Sequence, residues 1–111
     1  MLEHLLSADF PGAAGLRAGL DEVEVLGAWF PGSLSVDLAR PGHRPTGSRS
    51  WLLPVGGEVR DAAGGYTGEF LLWADEDGLS ALEYAWVTDD MPTVLPPVEL
   101  VRLVRGPAGP P

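Results

Sequence analysis

The amino-acid sequence predicts an α+β domain: an antiparallel sheet of about five strands built from two hairpins, with short N-terminal helices packed on one face. Three features lead there. Leucines near the start recur at helical spacing, and most later segments alternate apolar with polar residues. Tight-turn sequences, Pro31-Gly32 and Glu76-Asp77-Gly78, each separate two such alternating runs. Strands joined by short turns pair antiparallel, and helices gathered at one end of the chain cover one face of the resulting sheet.

Leu2, Leu5 and Leu6 predict a short helix over residues 2–8, with His4 as an exposed or half-buried helix residue. A second helix is expected from Pro11 to about Gly19. Proline suits a first helical turn, Leu16 and Leu20 are four apart, and Gly19 offers an exit, although Gly12 and Gly15 weaken the segment. From Glu22 the period changes to two and continues to about Phe30, a strand. After the Pro31-Gly32 turn, Leu34, Val36 and Leu38 alternate with Ser33, Ser35 and Asp37, which completes a first hairpin.

Residues 41–50 hold turn formers, no aliphatic side chain and no acid, and read as a loop. Trp51 to Val55 and Glu58 to Arg60 read as one weak strand broken at Pro54 and Gly56-Gly57, at an edge or across a bulge. Glu69 to Asp75 and Leu79 to Val87 form the second hairpin, with Gly78 in the left-handed position of a bulged turn. Pairing Asp75 with Leu79 places Phe70, Leu72, Leu82, Tyr84 and Trp86 on the core face. Glu69, Leu71, Trp73 and Glu83 then share the opposite face, which is either covered or a partly apolar exposed surface. In Val98 to Val104, with Glu99, Arg102 and Arg105 every third residue, a short helix fits better than alternation, with a final edge strand as the alternative.

The chain has 111 residues, which makes one domain over residues 1–105, followed by a Gly/Pro tail at 106–111 expected to be flexible because no side chain there can anchor it. Cysteine is absent, which removes disulfides, thiolate zinc sites and cysteine nucleophiles. Lys, Ile, Asn and Gln are absent too, a GC-rich coding pattern that accounts for part of the Gly and Pro excess. No apolar run reaches the roughly 20 residues of a membrane span, and the start lacks the basic region of a signal peptide, so a soluble cytoplasmic protein is expected. The net charge of -9 opposes nucleic-acid phosphates and anionic membranes and favours a basic partner.

No chemical motif stands out. There is no Gly-x-Ser-x-Gly, no Walker lysine in a chain without lysine, and no Gly-x-Gly-x-x-Gly after a strand, so neither a catalytic set nor a cofactor is expected. The basic loop with Arg40, His43, Arg44 and Arg49 could hold a carboxylate or phosphate through its guanidinium groups. Glu69 and Glu83, diagonal across the second hairpin, could share a proton or a divalent cation, but the Asp75-Glu76-Asp77-Gly78 turn lacks the other ligands of a calcium loop. Four tryptophans are many for this length, and Trp29-Phe30 beside a turn tip is harder to bury than aromatics in mid-strand.

The phrases Phe10-Pro11-Gly12-Ala13 with Leu16-Arg17-Ala18, Ser35-Val36-Asp37-Leu38, Asp77-Gly78-Leu79-Ser80 with Leu82-Glu83, and Pro92-Thr93 before Leu95-Pro96 resemble a family of small uncharacterised actinobacterial proteins over about residues 5–100. Its members often carry Cys-Gly-Cys between the first two strands. This chain reads Ala28-Trp29-Phe30-Pro31-Gly32-Ser33 there, so no metal or redox role transfers. Gly78-Leu79-Ser80 to Glu83-Tyr84 is also similar, more weakly, to small immunity-type proteins that neutralise toxins by binding them.

The leading functional expectation is a non-enzymatic protein-binding module that presents acidic and aromatic surface, with Trp29, Phe30, Trp73, Glu69 and Glu83 at its centre, to a basic protein. The alternative is a small-molecule binder or enzyme with a pocket between helices and sheet, lined by Trp73, Tyr84 or Trp86 and gated by the arginine loop that carries Arg40, His43, Arg44 and Arg49. A third arrangement is a homodimer joined through Leu71 and Trp73.

Overall fold

The computed structural model of the chain describes residues 1–42 and 50–105. Two short helices come first, α1 (Leu2–Leu6) and α2 (Ala13–Ala18), then a 3₁₀ turn at Leu20–Glu22. Strands β1 (Glu24–Ala28), β2 (Val36–Ala39), β3 (Ser50–Arg60), β4 (Tyr66–Asp75) and β5 (Gly78–Trp86) follow, and a 3₁₀ turn at Val98–Leu100 leads into β6 (Val101–Val104). All six strands pair antiparallel in one sheet of order β1-β2-β5-β4-β3-β6. This is the α+β architecture read from the sequence, with one strand more. Among the described residues, no helix is long and apolar enough to cross a membrane.

Both helices pack on one face. Leu5 and Leu6 are fully buried and join Phe10 and Ala13 in the same apolar cluster as Phe70, Leu72, Leu82 and Tyr84. Helices this short gain little from backbone cooperativity, so this packing and a few tertiary hydrogen bonds hold them. Arg17 on α2 donates to the Leu6 carbonyl at the end of α1, where helical carbonyls lack partners. His4 Nε2 donates to the Val101 carbonyl at 2.7 Å, which defines the protonated ring nitrogen and ties α1 to β6. Close approach of α1 depends on Gly57, where a Cβ would lie 3.0 Å from Leu5 Cδ2 and 2.6 Å from Val101 Cγ1.

Three expectations need correction. The segment around Pro54 is neither weak nor at an edge: β3 is the longest strand, flanked by β4 and β6. The bulge alternative is the one that forms. Leu52 opposes Trp73 and Gly56 opposes Leu71, so four steps on β3 match two on β4, and Pro54 sits in the bulge where no ladder N–H is demanded. Second, residues 101–104 are strand, not helix. Val101 and Leu103 turn to the core face while Arg102 opposes Glu58, a period of two that the every-third charge spacing concealed. Third, the second hairpin closes with Asp75 opposite Gly78, and a bulge at Ser80 then restores Leu72↔Leu82 and Phe70↔Tyr84. Because of that bulge the faces come out as expected except for Trp86, which is exposed at the end of β5. The expected loop over 41–50 lies largely outside the described residues, and the tail at 106–111 wholly so.

Candidate functional site

The first hairpin builds an aromatic tip. Gly32 has φ +80°, and the Ser33 N–H donates to the Phe30 carbonyl at 3.0 Å. Proline at the second position and a left-handed glycine at the third are what a type II turn requires. The Trp29 N–H donates to the Ser35 carbonyl at 2.9 Å, so the hairpin stays closed up to the turn and both aromatic side chains leave from a constrained backbone. The Trp29 indole N–H donates to Asp37 Oδ1 across the hairpin at 3.1 Å.

Trp86 meets this tip from the other side. The Phe30 and Trp86 rings form an edge contact with centroids 6.3 Å apart. Trp29, Phe30 and Trp86 nevertheless remain 43%, 41% and 37% exposed, three large aromatic side chains in one exposed group. Beside them lies a shallow cleft of about 270 Å³, bounded by the Trp29–Phe30 tip and the Glu83–Trp86 end of β5. Ser35 anchors the tip to the sheet. It is buried, and its Oγ accepts the Tyr84 N–H at 2.8 Å, satisfying a main-chain donor that the short β2 does not reach.

The open face of the sheet continues from this cleft. Trp73 Nε1 donates to Glu83 Oε1 at 2.9 Å, so the carboxylate ties the indole of β4 to β5. Glu83 opposes Leu71, and Glu69 opposes Ala85, which makes the two glutamates diagonal neighbours as expected. They are not a proton-sharing pair. The Glu69 carboxylate lies toward β3, with Oε1 2.9 Å from where a Cβ on Gly56 would be, whereas Glu83 lies on β5, on the other side of β4, and is engaged by Trp73. Among the described residues, no group of three or more His, Asp or Glu side chains is placed to hold a metal ion.

Glu58 is the neutralised acid of this face. It opposes Glu69 and accepts from Arg60 at 2.7 Å and from Arg102 at 3.3 Å. The Arg60 hydrogen bond holds its carboxyl below the ordinary glutamate value of 4.5, against the upward push of burial, and the Arg102 charge assists. A carboxyl whose folded pKa is depressed stabilises the fold above its unfolded pKa and loses that stabilisation as pH falls through the folded value. The urea midpoint of the wild type should therefore exceed that of Glu58→Gln near neutral pH, with the gap closing as pH falls below about 4.5. A gap that stays constant from pH 6 to pH 3 contradicts this linkage.

A larger groove of about 880 Å³ opens between α1 and the β1–β2 hairpin, lined by aliphatic side chains such as Leu20, Val23, Leu34, Val36 and Leu82. A pocket between helices and sheet was expected, but not with this lining. Trp73 is on the opposite face of the sheet, Tyr84 is buried in the core, and Trp86 is at the hairpin tip, so none of the three contributes. Of the expected gating loop, His43, Arg44 and Arg49 lie outside the described residues, and Arg40 pairs with Glu22 at 3.7 Å.

No family model matches the chain, and no curated protein or solved structure is significantly similar to it.

Of the site residues read from the sequence, the structure brings Trp29, Phe30 and Glu83 to one cleft; Trp73 and Glu69 both stand on the neighbouring β4, Trp73 bonded to Glu83 and Glu69 opposite Ala85 with its carboxylate toward β3. Trp86 was missed as a surface residue because alternation assigned it to the core face. Its position at the strand end, just before the polar run Thr88-Asp89-Asp90, was the available signal.

Proposed function

We propose that this chain is a protein-binding module, immunity-like in its mode of action, that docks a basic protein through the Trp29–Phe30–Trp86 tip and the acidic sheet face beside it. The observation that carries this reading is the exposed aromatic group itself, held by the type II turn and the Ser35 anchor. Rigid aromatic side chains lose little conformational entropy on binding and dominate interface energetics. Charge supplies the rest. Among the described residues, neither Glu83 nor Asp37 has an ion-pair partner, and the chain carries -9 overall. That field accelerates encounter with a cationic surface, while the aromatic anchors set the off-rate. It also argues against a second copy of this chain as the partner, because pairing the Leu71–Trp73 face with itself would bring Glu69 and Glu83 against like charges.

The test is affinity capture on the immobilised chain at low and high salt, with Phe30→Ala and Trp86→Ala run in parallel. The expected result is a captured protein of basic pI, released by salt. Each substitution should weaken it by about 2 kcal/mol, roughly 30-fold. Unfolding midpoints should move little, because surface substitutions stay within about 0.5 kcal/mol. Equal capture by the variants, or capture of acidic proteins only, overturns the reading.

A second reading rests on the 880 Å³ groove, whose aliphatic lining fits a small apolar molecule. It is the weaker one, because His4, a polar group at its edge, is already committed to the Val101 carbonyl.

A further inference from the structure

β5 is longer than β2 on one side of it. β2 pairs with it only at Val36↔Leu82 and Asp37↔Ala81, yet β5 continues to Trp86. Main-chain groups along a strand point alternately to its two neighbours. The Val87 N–H donates to the Thr67 carbonyl at 3.0 Å, just past the end of β4's pairing with β5, so residues 83, 85 and 87 direct their groups toward β4. Residues 82, 84 and 86 therefore direct theirs toward the β2 side. The Tyr84 N–H does so, and it meets the Ser35 hydroxyl where a strand's carbonyl would otherwise stand. Beyond that point the Tyr84 carbonyl and the N–H and carbonyl of Trp86 have no ladder partner on that side among the described residues, and the Trp29–Ser35 turn faces them across the cleft.

This open edge coincides with the cleft bounded by Trp29, Phe30 and Glu83. Natural sheets usually blunt such edges, and β1 illustrates it with a bulge between Val25 and Gly27. At the end of β5 the edge is instead flanked by aromatic side chains and carboxylates. The two sides of an added strand would meet different chemistry. One side would face Phe30 and Trp86, which are apolar, and the other would face Glu83, which has no ion-pair partner among the described residues.

We propose that the partner inserts an extended segment of alternating apolar and basic residues, which adds as a short strand to β5 at Tyr84–Trp86. Main-chain hydrogen bonds would supply the register, apolar side chains would pack on Phe30 and Trp86, and an Arg or Lys would reach Glu83. The inference rests on the reading of the aromatic tip as a protein-docking site and specifies the form in which the partner arrives.

The probe is the blocked peptide acetyl-Val-Arg-Val-Arg-Val-amide, compared with the same peptide N-methylated at the central valine and arginines, each titrated at up to millimolar concentration into the full chain. Tryptophan fluorescence reads binding, and amide hydrogen exchange by NMR reads the edge. The unmodified peptide is expected to bind and to slow exchange of the Trp86 N–H. N-methylation should weaken binding by about tenfold, since it removes ladder donors, and Glu83→Gln should weaken the unmodified peptide. No binding, equal binding of the N-methylated peptide, or an unprotected Trp86 N–H overturns strand addition. None of these touches the capture experiment, in which dependence on Phe30 and Trp86 decides the docking reading separately.

Discussion

Phe70→Ala should destabilise the domain by about 3–5 kcal/mol, the range for removing a fully buried aromatic ring. Phe70 is 0% exposed at the centre of β4, and its ring lies 4.6 Å from that of Tyr84. Leu5 and Leu6 of α1 belong to the same cluster, so the deletion leaves a cavity beneath the helix as well as beside β5. A small domain has about 5–15 kcal/mol of stability in all, so the variant should sit near its unfolding threshold at 37 °C. Urea unfolding checks this: the midpoint should fall sharply at unchanged slope, whereas Phe30→Ala, which removes an exposed ring, should barely move it. A Phe70→Ala loss below about 1.5 kcal/mol would falsify the assignment of this ring to the packed core.

Gly68→Ala should cost about 2–3 kcal/mol, at the upper end of what one added methyl does in a packed site. A Cβ at Gly68 would stand 2.6 Å from the Ala85 carbonyl and 2.6 Å from the Tyr84 hydroxyl. The hydroxyl can retreat, but the carbonyl is part of β5's main chain, in the ladder with β4. Relief therefore requires the two central strands to separate. Gly57→Ala provides the comparison, because its closest neighbours are Val101 Cγ1 and Leu5 Cδ2, ends of side chains that a rotamer change can move. The expected order in denaturant midpoint is wild type, then Gly57→Ala, then Gly68→Ala. The reverse order would show that the β4–β5 spacing yields more easily than the α1 contact.

β4 and β3 differed in how far the sequence made them legible. Phe70, Leu72, Leu82 and Tyr84 were assigned to the core from alternation alone, because a half-buried antiparallel strand must place every second side chain inward. Gly56 and Gly57 read only as strand breakers. Their use appears once β6 and α1 lie against them, and neither neighbour is close in sequence. The candidate site divides in the same way. Trp29 and Phe30 could be placed at a turn tip from Pro31-Gly32, but their meeting with Trp86 depends on β2 pairing with β5 and on Ser35 bonding to Tyr84.

By itself, the amino-acid order determined the two hairpins, the helical start and the inward face of the second hairpin, because hydrophobic period and turn chemistry act over a few neighbouring residues, whereas β1 is exposed at every residue despite its alternation. Only the tertiary structure decided that β3 lies inside the sheet with β6 at its flank, that Glu69 faces away from Glu83, and that β5 runs past its pairing with β2 beside the aromatic turn. Those outcomes depend on contacts between residues far apart along the chain. The free energy of such contacts comes from packing and close main-chain approach, for which no local pattern in the sequence stands as a sign.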